Sequence, residues 1–170
     1  MITDVSIRRA HLPSRLGELT VVLAGEAVSG LYFPRHSRDP ERAEVGDVVA
    51  DDPLAQEVHA QVTEYLAGER RTFDLPLALP GSDFHRLVWA RLLEIPYGVR
   101  VTYGDLSVEL GAPAQAIGGA VGQNPVSIVV PCHRVVGADG SLTGYAGGLE
   151  RKRTLLTLEE PAADTADRLF

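Results

Sequence analysis

Apolar and polar positions alternate in short blocks at the start of the chain. Apolar runs at residues 19–23 and 31–33 are separated by Gly25 and Gly30, a spacing that predicts two or three short antiparallel strands. A helical repeat follows, ends at Gly68 and predicts an amphipathic helix packed on the small sheet. The apolar positions of that repeat are Leu54, Val58, Val62, Tyr65 and Leu66.

Two stretches lack such periodicity. Residues 34–52 are polar and rich in Arg, Asp and Pro, which predicts a loop. Residues 71–79 contain Pro76 and are followed by Pro80, which predicts an extended crossing between two domains. The basic residues of the first stretch are interpreted as a solvated segment rather than a binding patch: Arg35, His36, Arg38 and Arg42.

Helical patterns return after the crossing. Ser82 is a candidate N-cap for a helix whose predicted apolar face is Phe84, Leu87, Val88, Leu92 and Leu93, with Trp89 beside it. Thr102 and Asp105 resemble a capping box and predict a short helix over 103–110 that ends at Gly111.

A second short helix is predicted over 114–122, and it contains Gly118, Gly119 and Gly122. Each glycine costs a helix about 1 kcal/mol. Either another molecule approaches this backbone closely or the helix packs tightly on a neighbour, and the sequence leaves both open. Two short helices around a tight turn form a helix-turn-helix, the second helix of which enters a DNA groove in DNA-binding proteins.

The only cysteine, Cys132, is followed directly by His133. The apolar residues 127–130 predict a short buried strand, and Pro131 ends it. A thiolate is the reactive form of cysteine, and an adjacent imidazole held by a carboxylate raises the thiolate fraction. The alternative is a buried cysteine that acts only as a small hydrophobic residue. Beyond it the pattern predicts a turn at Asp139-Gly140, a glycine-rich loop over 144–148, a final helix over 150–160 and a frayed tail.

Composition narrows the function classes. The chain has 170 residues, of which 45% are hydrophobic and 23% charged, enough for one domain or two small ones. The net charge of −7 argues against a strongly basic nucleic-acid binder, so any DNA contact depends on local geometry as well as charge. No apolar stretch of 18 residues and no signal peptide are visible, so a cytoplasmic protein with a reduced thiol and no membrane contact is expected. The five histidines are scattered, and neither a metal site nor a cofactor is expected.

The second half contains six further motifs: Ile95-Pro96-Tyr97-Gly98, Thr102-Tyr103-Gly104-Asp105-Leu106, Gly118 to Ala120, Asn124-Pro125-Val126, Pro131-Cys132-His133-Arg134-Val135-Val136 and Gly144-Tyr145-Ala146-Gly147-Gly148-Leu149. Together these motifs resemble those of the O6-alkylguanine-DNA alkyltransferases, also called methylated-DNA-protein-cysteine methyltransferases. The first half resembles that family only in its order of strands followed by a helix.

The resemblance implies an α+β fold in two domains. Residues 1–78 would form a ribonuclease-H-like antiparallel sheet with a helix, and residues 79–170 a mainly α, winged helix-turn-helix-like domain. The implied activity is direct DNA repair, in which Cys132 takes the alkyl group from O6-alkylguanine in duplex DNA, irreversibly and once per molecule. O4-alkylthymine is a further candidate substrate. The implied protein is a monomer in solution that binds the minor groove, with clustering along DNA left open.

The resemblance also assigns roles to single residues. Cys132 is the nucleophile, His133 activates it through a water, Glu159 orients the histidine, Asn124 orders the turn before the cysteine, and Tyr103 approaches the leaving purine. The implied DNA contacts are Tyr103, Ala114, Gln115, Ala116, Gly118, Gly119 and Arg134. The implied substrate pocket is formed by Trp89, Val135, Tyr145, Ala146, Gly147 and Gly148.

One position departs from the family pattern. Gln115 stands where the family has an arginine that replaces the extruded base, and the stretch before it is about two residues shorter than usual. Glutamine still bonds to a base but carries no charge. With the acidic net charge, this leaves a second hypothesis open, in which the thiol takes the alkyl group from a free base or small molecule. A third hypothesis, a binder that only flags alkylated DNA, is disfavoured because such relatives lack the reactive cysteine.

Overall fold

The structure, a computed structural model, describes residues 6–34, 46–145 and 147–160. It has the α+β architecture that the sequence predicts: a small sheet with one helix, followed by a mainly helical region. Within the described ranges, no helix is long and apolar enough to cross a membrane. The tail, Ala146 and the four basic residues of the predicted loop lie outside the described residues.

The sheet contains β1 (Ile7–Leu12), β2 (Leu19–Ala24), β3 (Ala27–Tyr32) and β4 (Asp47–Val48), in the order β3-β2-β1-β4. The three antiparallel strands confirm the prediction, and Ala10 pairs with Val21 in their register. The short β4 runs parallel to β1 inside a stretch predicted as loop. Two exposed residues carry too little pattern to reveal such a strand.

Helix α1 (Pro53–Leu66) packs its apolar face on this sheet. Asp52 caps it by accepting hydrogen bonds from the backbone N–H groups of Leu54 and Ala55. The helix ends at Leu66, two residues before the predicted stop at Gly68. The crossing segment that follows is extended, and Leu77 forms a bridge with Val28 at the free edge of β3.

The second region contains α2 (Asp83–Leu92), β5 (Val101–Thr102), α3 (Tyr103–Leu110), α4 (Ala114–Gly122), β6 (Val135–Val136) and α5 (Leu149–Leu158). The capping box at Thr102 and Asp105 and the αL residue Gly111 confirm the predicted bounds of α3. Helix α4 packs against both α2 and α3. Strands β5 and β6 form a short parallel ladder.

The predicted apolar face of α2 was right at Val88 and Leu92, which are fully buried, and wrong at two leucines. Trp89 is fully buried, whereas Leu87 and Leu93 are about half exposed. The indole Nε1 donates to the Ala120 carbonyl at 2.8 Å and thereby joins α2 to α4. Because a large side chain with a satisfied donor gains much from burial, Trp89 shares the buried face of α2 with Val88 and Leu92.

Candidate active site

A tight turn, not a strand, leads into Cys132. After Ser127 the backbone bonds are local, from Val129 N–H to the Ser127 carbonyl and from Val130 N–H to the Val126 carbonyl. Ile128 has a φ of 73°, which a β-branched residue rarely adopts. The predicted strand was therefore wrong. The segment is apolar because it is buried in the core, and not because it pairs in a sheet.

Asn124 holds this turn together. Its Oδ1 accepts from Val126 N–H at 3.0 Å, and its Nδ2 donates to the Val130 carbonyl at 2.8 Å. The edge strand β3 also holds the turn. The Leu31 N–H donates to the Pro125 carbonyl at 2.9 Å, and the Leu31 carbonyl accepts from the Ser127 N–H at 3.1 Å. The sheet of the first region thus fixes the turn that carries the cysteine.

Cys132 is 6% exposed and begins a single 3₁₀ turn, Cys132–Arg134. Burial raises the pKa of Cys132, while a hydrogen bond from Asn124 and the charge of Lys152 lower it. A narrow cleft of about 10 Å³, room for one water-sized group, adjoins the thiol. Its lining residues are Val121, Gly122, Asn124, Ser127, Cys132, Gly144 and Tyr145.

His133 is fully buried, and its Nε2 lies 2.8 Å from Glu159 Oε2. A carboxylate at this distance fixes the proton on Nε2 and leaves the lone pair on Nδ1. Nδ1 is buried and has no hydrogen-bond partner among the described residues. Burial lowers the pKa of His133, and Glu159 opposes that shift. The imidazole is therefore neutral at rest, with one nitrogen free to accept a proton.

Arg134 holds the other side of the carboxylate. Its Nε donates to Glu159 Oε1 at 2.8 Å, its Nη2 to Oε2 at 2.9 Å and its Nη1 to the Ile95 carbonyl at 2.6 Å. Burial alone would raise the pKa of Glu159, but hydrogen bonds from His133 and Arg134 hold it well below its usual value. The predicted DNA contact of Arg134 does not fit this position, since the side chain is buried and all its nitrogens bond inside the protein.

Two residues of this centre were missed from the sequence. Tyr65, on α1, is fully buried and its hydroxyl donates to Glu159 Oε2. Lys152, on α5, is also fully buried and its Nζ donates to the Thr143 carbonyl at 2.8 Å. Burial lowers the pKa of Lys152 to about 8, and the nearby Cys132 opposes that shift. Helical spacing places Lys152 and Glu159 on the same face of α5, a signal that was available.

The glycine-rich loop lies between the thiol and the first region. A Cβ on Gly147 would lie 2.4 Å from the ring of Phe33, so only glycine fits there. Arg151 spans the same junction, with donors to the carbonyls of Leu16 and Gly147 at 3.1 and 3.0 Å. Gly148 has a φ of 95° and precedes α5. Of the predicted pocket residues, Tyr145 lines the cleft.

Trp89 and Val135 do not line this cleft. Trp89 packs between helices, as described, and Val135 is fully buried and pairs with Val101 in the short ladder. Both belong to the core that supports the cysteine. Their assignment to the substrate pocket is a correction that burial explains.

The outer face of α4 presents small groups to solvent. Ala114, Gln115, Ala116 and Gly119 are exposed, and Gly118 is half-buried. A Cβ on Gly119 would meet nothing within 4 Å, and one on Gly118 would only just reach the ring of Tyr103, at 4.0 Å. Tight helix packing therefore does not account for these glycines. The open face favours the other interpretation, close approach by a molecule from outside.

Within the described ranges, no group of three or more His, Cys, Asp or Glu side chains lies close enough together to hold a metal ion. The chemistry available at this site is that of a thiol, a neutral imidazole and a buried carboxylate.

Known proteins match both regions. A family model described as the ribonuclease-like domain of 6-O-methylguanine DNA methyltransferase matches residues 7–79, and one described as its DNA binding domain matches 83–161. A methylated-DNA–protein-cysteine methyltransferase of Mycobacterium tuberculosis is 43% identical over 162 residues, covering 94% of this chain and 96% of the relative. A homologue of the same name from Methanosarcina acetivorans is 43% identical over 142 residues, covering 82% and 90%.

Solved structures agree. The crystal structure of Mycobacterium tuberculosis OGT in complex with DNA has a TM-score of 0.79 to this chain at 40% identity, and the match covers 93% of this chain and 98% of that one. The predicted fold, a ribonuclease-like region followed by a DNA-binding region, is confirmed by these matches.

Proposed function

The chain belongs to the methylated-DNA–protein-cysteine methyltransferase family, and from that premise we propose that it repairs O6-alkylguanine in duplex DNA by moving the alkyl group to Cys132. The proposal rests on one observation, that a thiol, an imidazole and a carboxylate follow one another at a single cleft. The thiol lies in the cleft, His133 follows it with a free Nδ1, and Glu159 holds the other ring nitrogen.

The reaction is a single displacement at carbon. The Cys132 thiolate attacks the alkyl carbon, an S–C bond forms, and the C–O bond to guanine O6 breaks. The electron pair leaves with the purine, which takes up one proton. The thiol loses one proton, so the sum is a thioether and unmodified guanine. The thioether has no leaving group that water displaces readily, so each molecule acts once.

His133 supplies the base. Burial disfavours a thiolate at rest, so the thiol needs a proton acceptor at the moment of attack. Nδ1 of His133 is that acceptor, through a bridging water, because no direct hydrogen bond joins the two side chains among the described residues. Glu159 stabilises the imidazolium that forms, and the charge of Lys152 favours the thiolate.

Recognition falls to the face of α4. A base inside a duplex reaches a buried thiol only after it leaves the stack, at a cost of a few kcal/mol. Small side chains at Ala114, Ala116 and Gly119 let the helix backbone approach a narrow minor groove, and Gln115 bonds to the base left behind. Tyr103, at the start of α3, faces the leaving purine and its phosphate. Contacts of this kind carry little sequence information, which suits damage in any context.

The free-base hypothesis rests on Gln115 and on the net charge of −7. One experiment separates it from duplex repair. Intact-protein mass is measured after incubation with stoichiometric O6-methylguanine duplex and, in parallel, with the free base, using Cys132→Ala as the control. We expect one methyl group on the protein from the duplex and none on the control. Labelling by the free base alone would show that this chain has lost duplex repair.

A further inference from the structure

Tyr65 belongs to the first region of the molecule but reaches the reaction centre of the second. It lies on α1, 94 residues before Glu159 in the chain, and it is fully buried. Its hydroxyl donates to Glu159 Oε2 and lies 3.5 Å from His133 Nε2. The same carboxylate oxygen accepts from His133, so Tyr65 shares the atom that orients the histidine.

Packing explains the ring of Tyr65 but not its hydroxyl. The ring contacts Phe73 at 5.3 Å and Tyr97 at 6.1 Å between centroids, in an aromatic cluster that phenylalanine would fill equally well. A buried hydroxyl costs free energy unless it is bonded, and the bond it makes here is to a carboxylate that the reaction uses. Burial and the charge of Glu159 raise the pKa of Tyr65, so the group stays a donor.

A donor on Oε2 restricts how the carboxylate turns. Arg134 binds both oxygens from one side, and Tyr65 binds Oε2 from the side of α1. With both in place, Oε2 stays opposite His133 Nε2, which keeps the proton on that nitrogen and the lone pair on Nδ1. Loss of the hydroxyl leaves an oxygen that moves more freely and an imidazole that is oriented less firmly.

We propose that Tyr65 is a positioning residue for alkyl transfer: through its bond to Glu159 Oε2, the ribonuclease-like region takes part in activating Cys132. The inference rests on the proposed function in one respect, that His133 is the base for the thiol. It gives the first region a chemical role beyond holding the turn before the cysteine.

The test compares Tyr65→Phe with a matched variant, Tyr97→Phe. Tyr97 belongs to the same aromatic cluster and donates its hydroxyl to the Leu158 carbonyl at 3.2 Å. Each variant loses one hydroxyl, but only Tyr65→Phe loses a bond to the reacting network. Because a protein that reacts once gives an end point as well as a rate, the two are measured separately, as methyl groups per protein and as the rate constant on excess duplex.

We expect Tyr65→Phe to reach the same end point as wild type with a rate constant about tenfold lower near neutral pH, the size of one lost bond to a charged group. The deficit narrows at alkaline pH, where hydroxide removes the thiol proton without His133. The same pattern is expected for alkylation of Cys132 by iodoacetamide, which requires no DNA. Tyr97→Phe keeps the wild-type rate constant at every pH.

An unchanged rate constant in Tyr65→Phe, or a lower end point with an unchanged rate constant, would overturn the proposal and leave Tyr65 a residue of the core. Equal losses in both tyrosine variants would overturn it too. If wild-type protein takes no methyl group from duplex, the proposed function fails, and the iodoacetamide rates still decide the role of Tyr65.

Discussion

Glu159 accepts five hydrogen bonds inside the core, whereas the neighbouring helix α4 presents small side chains, Gln115 and bare backbone to solvent. At the reaction centre the Glu159 carboxylate is fixed by donors from both regions of the molecule. On α4 the useful property is free space, since a Cβ on Gly119 would meet no neighbour. Both belong to one proposed function, yet a substitution in the centre and one on the helix face damage different steps.

The largest effect is expected from Glu159→Gln. The amide keeps the shape but loses the charge and places a donor among donors, which leaves buried Arg134 without its counter-ion. Breaking a buried ion pair from one side costs about 3 kcal/mol or more of the free energy of unfolding. We expect the rate of transfer per folded molecule to fall at least about a hundredfold, as for loss of general-base assistance. Thermal unfolding and the single-turnover rate measure the two effects.

Acid provides the control for Glu159→Gln. The pKa of Glu159 in the folded protein lies below its usual value of 4.5. The stabilisation by Glu159 is therefore complete above pH 4.5 and is lost as the pH falls towards the pKa of the folded state. The difference in melting temperature between wild type and Glu159→Gln should therefore shrink below about pH 4.5. A difference that stays constant down to pH 3 would contradict the electrostatic explanation.

Gly119→Leu is expected to lower the rate of transfer by a smaller factor, and to leave stability unchanged or higher. The exposed position has room for the side chain, and leucine is a better helix former by roughly 0.8 kcal/mol, so the free protein keeps or gains stability. Reaction with iodoacetamide should be unchanged, while transfer from duplex falls at least about tenfold because the helix no longer fits the groove. Ala60→Leu, at an exposed position of α1, is the matched control and should react with duplex like wild type. Duplex repair by Gly119→Leu at the wild-type rate would show that α4 does not contact the DNA.

The smallest effect, a gain, is expected from Gln115→Arg. A guanidinium at an exposed position of α4 adds one positive charge towards the phosphates and stacks better on a base. Duplex affinity should rise about threefold. The slope of log affinity against log salt concentration should steepen by the amount expected for about one more phosphate contact. Binding titrations at two salt concentrations measure both. Gln56→Arg adds the same charge on α1, and equal gains in both variants would show a general charge effect rather than a contact of α4.

Local signals predicted most of the elements. The capping box at Thr102 depends on residues three apart, and the α1 stripe depends on residues within one helix, so both were visible in the sequence. The predicted strand at 127–130 failed because an apolar run records burial and not the hydrogen-bond partner. The exposure of Leu87 and Leu93 on α2 was missed for a related reason, since the Ala120 carbonyl that bonds to the Trp89 indole is 31 residues away.

The same limit applied to the candidate site. Cys132 and His133 are adjacent, so their combination was visible, whereas Glu159 was assigned only through the family resemblance. Tyr65 was correctly placed on the apolar face of its helix, but nothing near it in the sequence indicates that its hydroxyl meets a carboxylate 94 residues later. The resemblance assigned Arg134 to DNA, whereas the side chain is buried and bonds inside the protein.

The burial of the Cys132 thiol affects how long the protein stays able to react. A molecule that works once must wait, intact, for a lesion that arrives rarely, among oxidants and electrophiles that consume exposed thiolates. Cys132 is 6% exposed beside a cleft with room for about one water, and burial raises its pKa, so it stays in the less reactive thiol form while it waits. The burial that protects Cys132 from oxidants also places it beside His133 and Glu159, so slow loss during storage and assisted reaction with an alkylated base come from one arrangement.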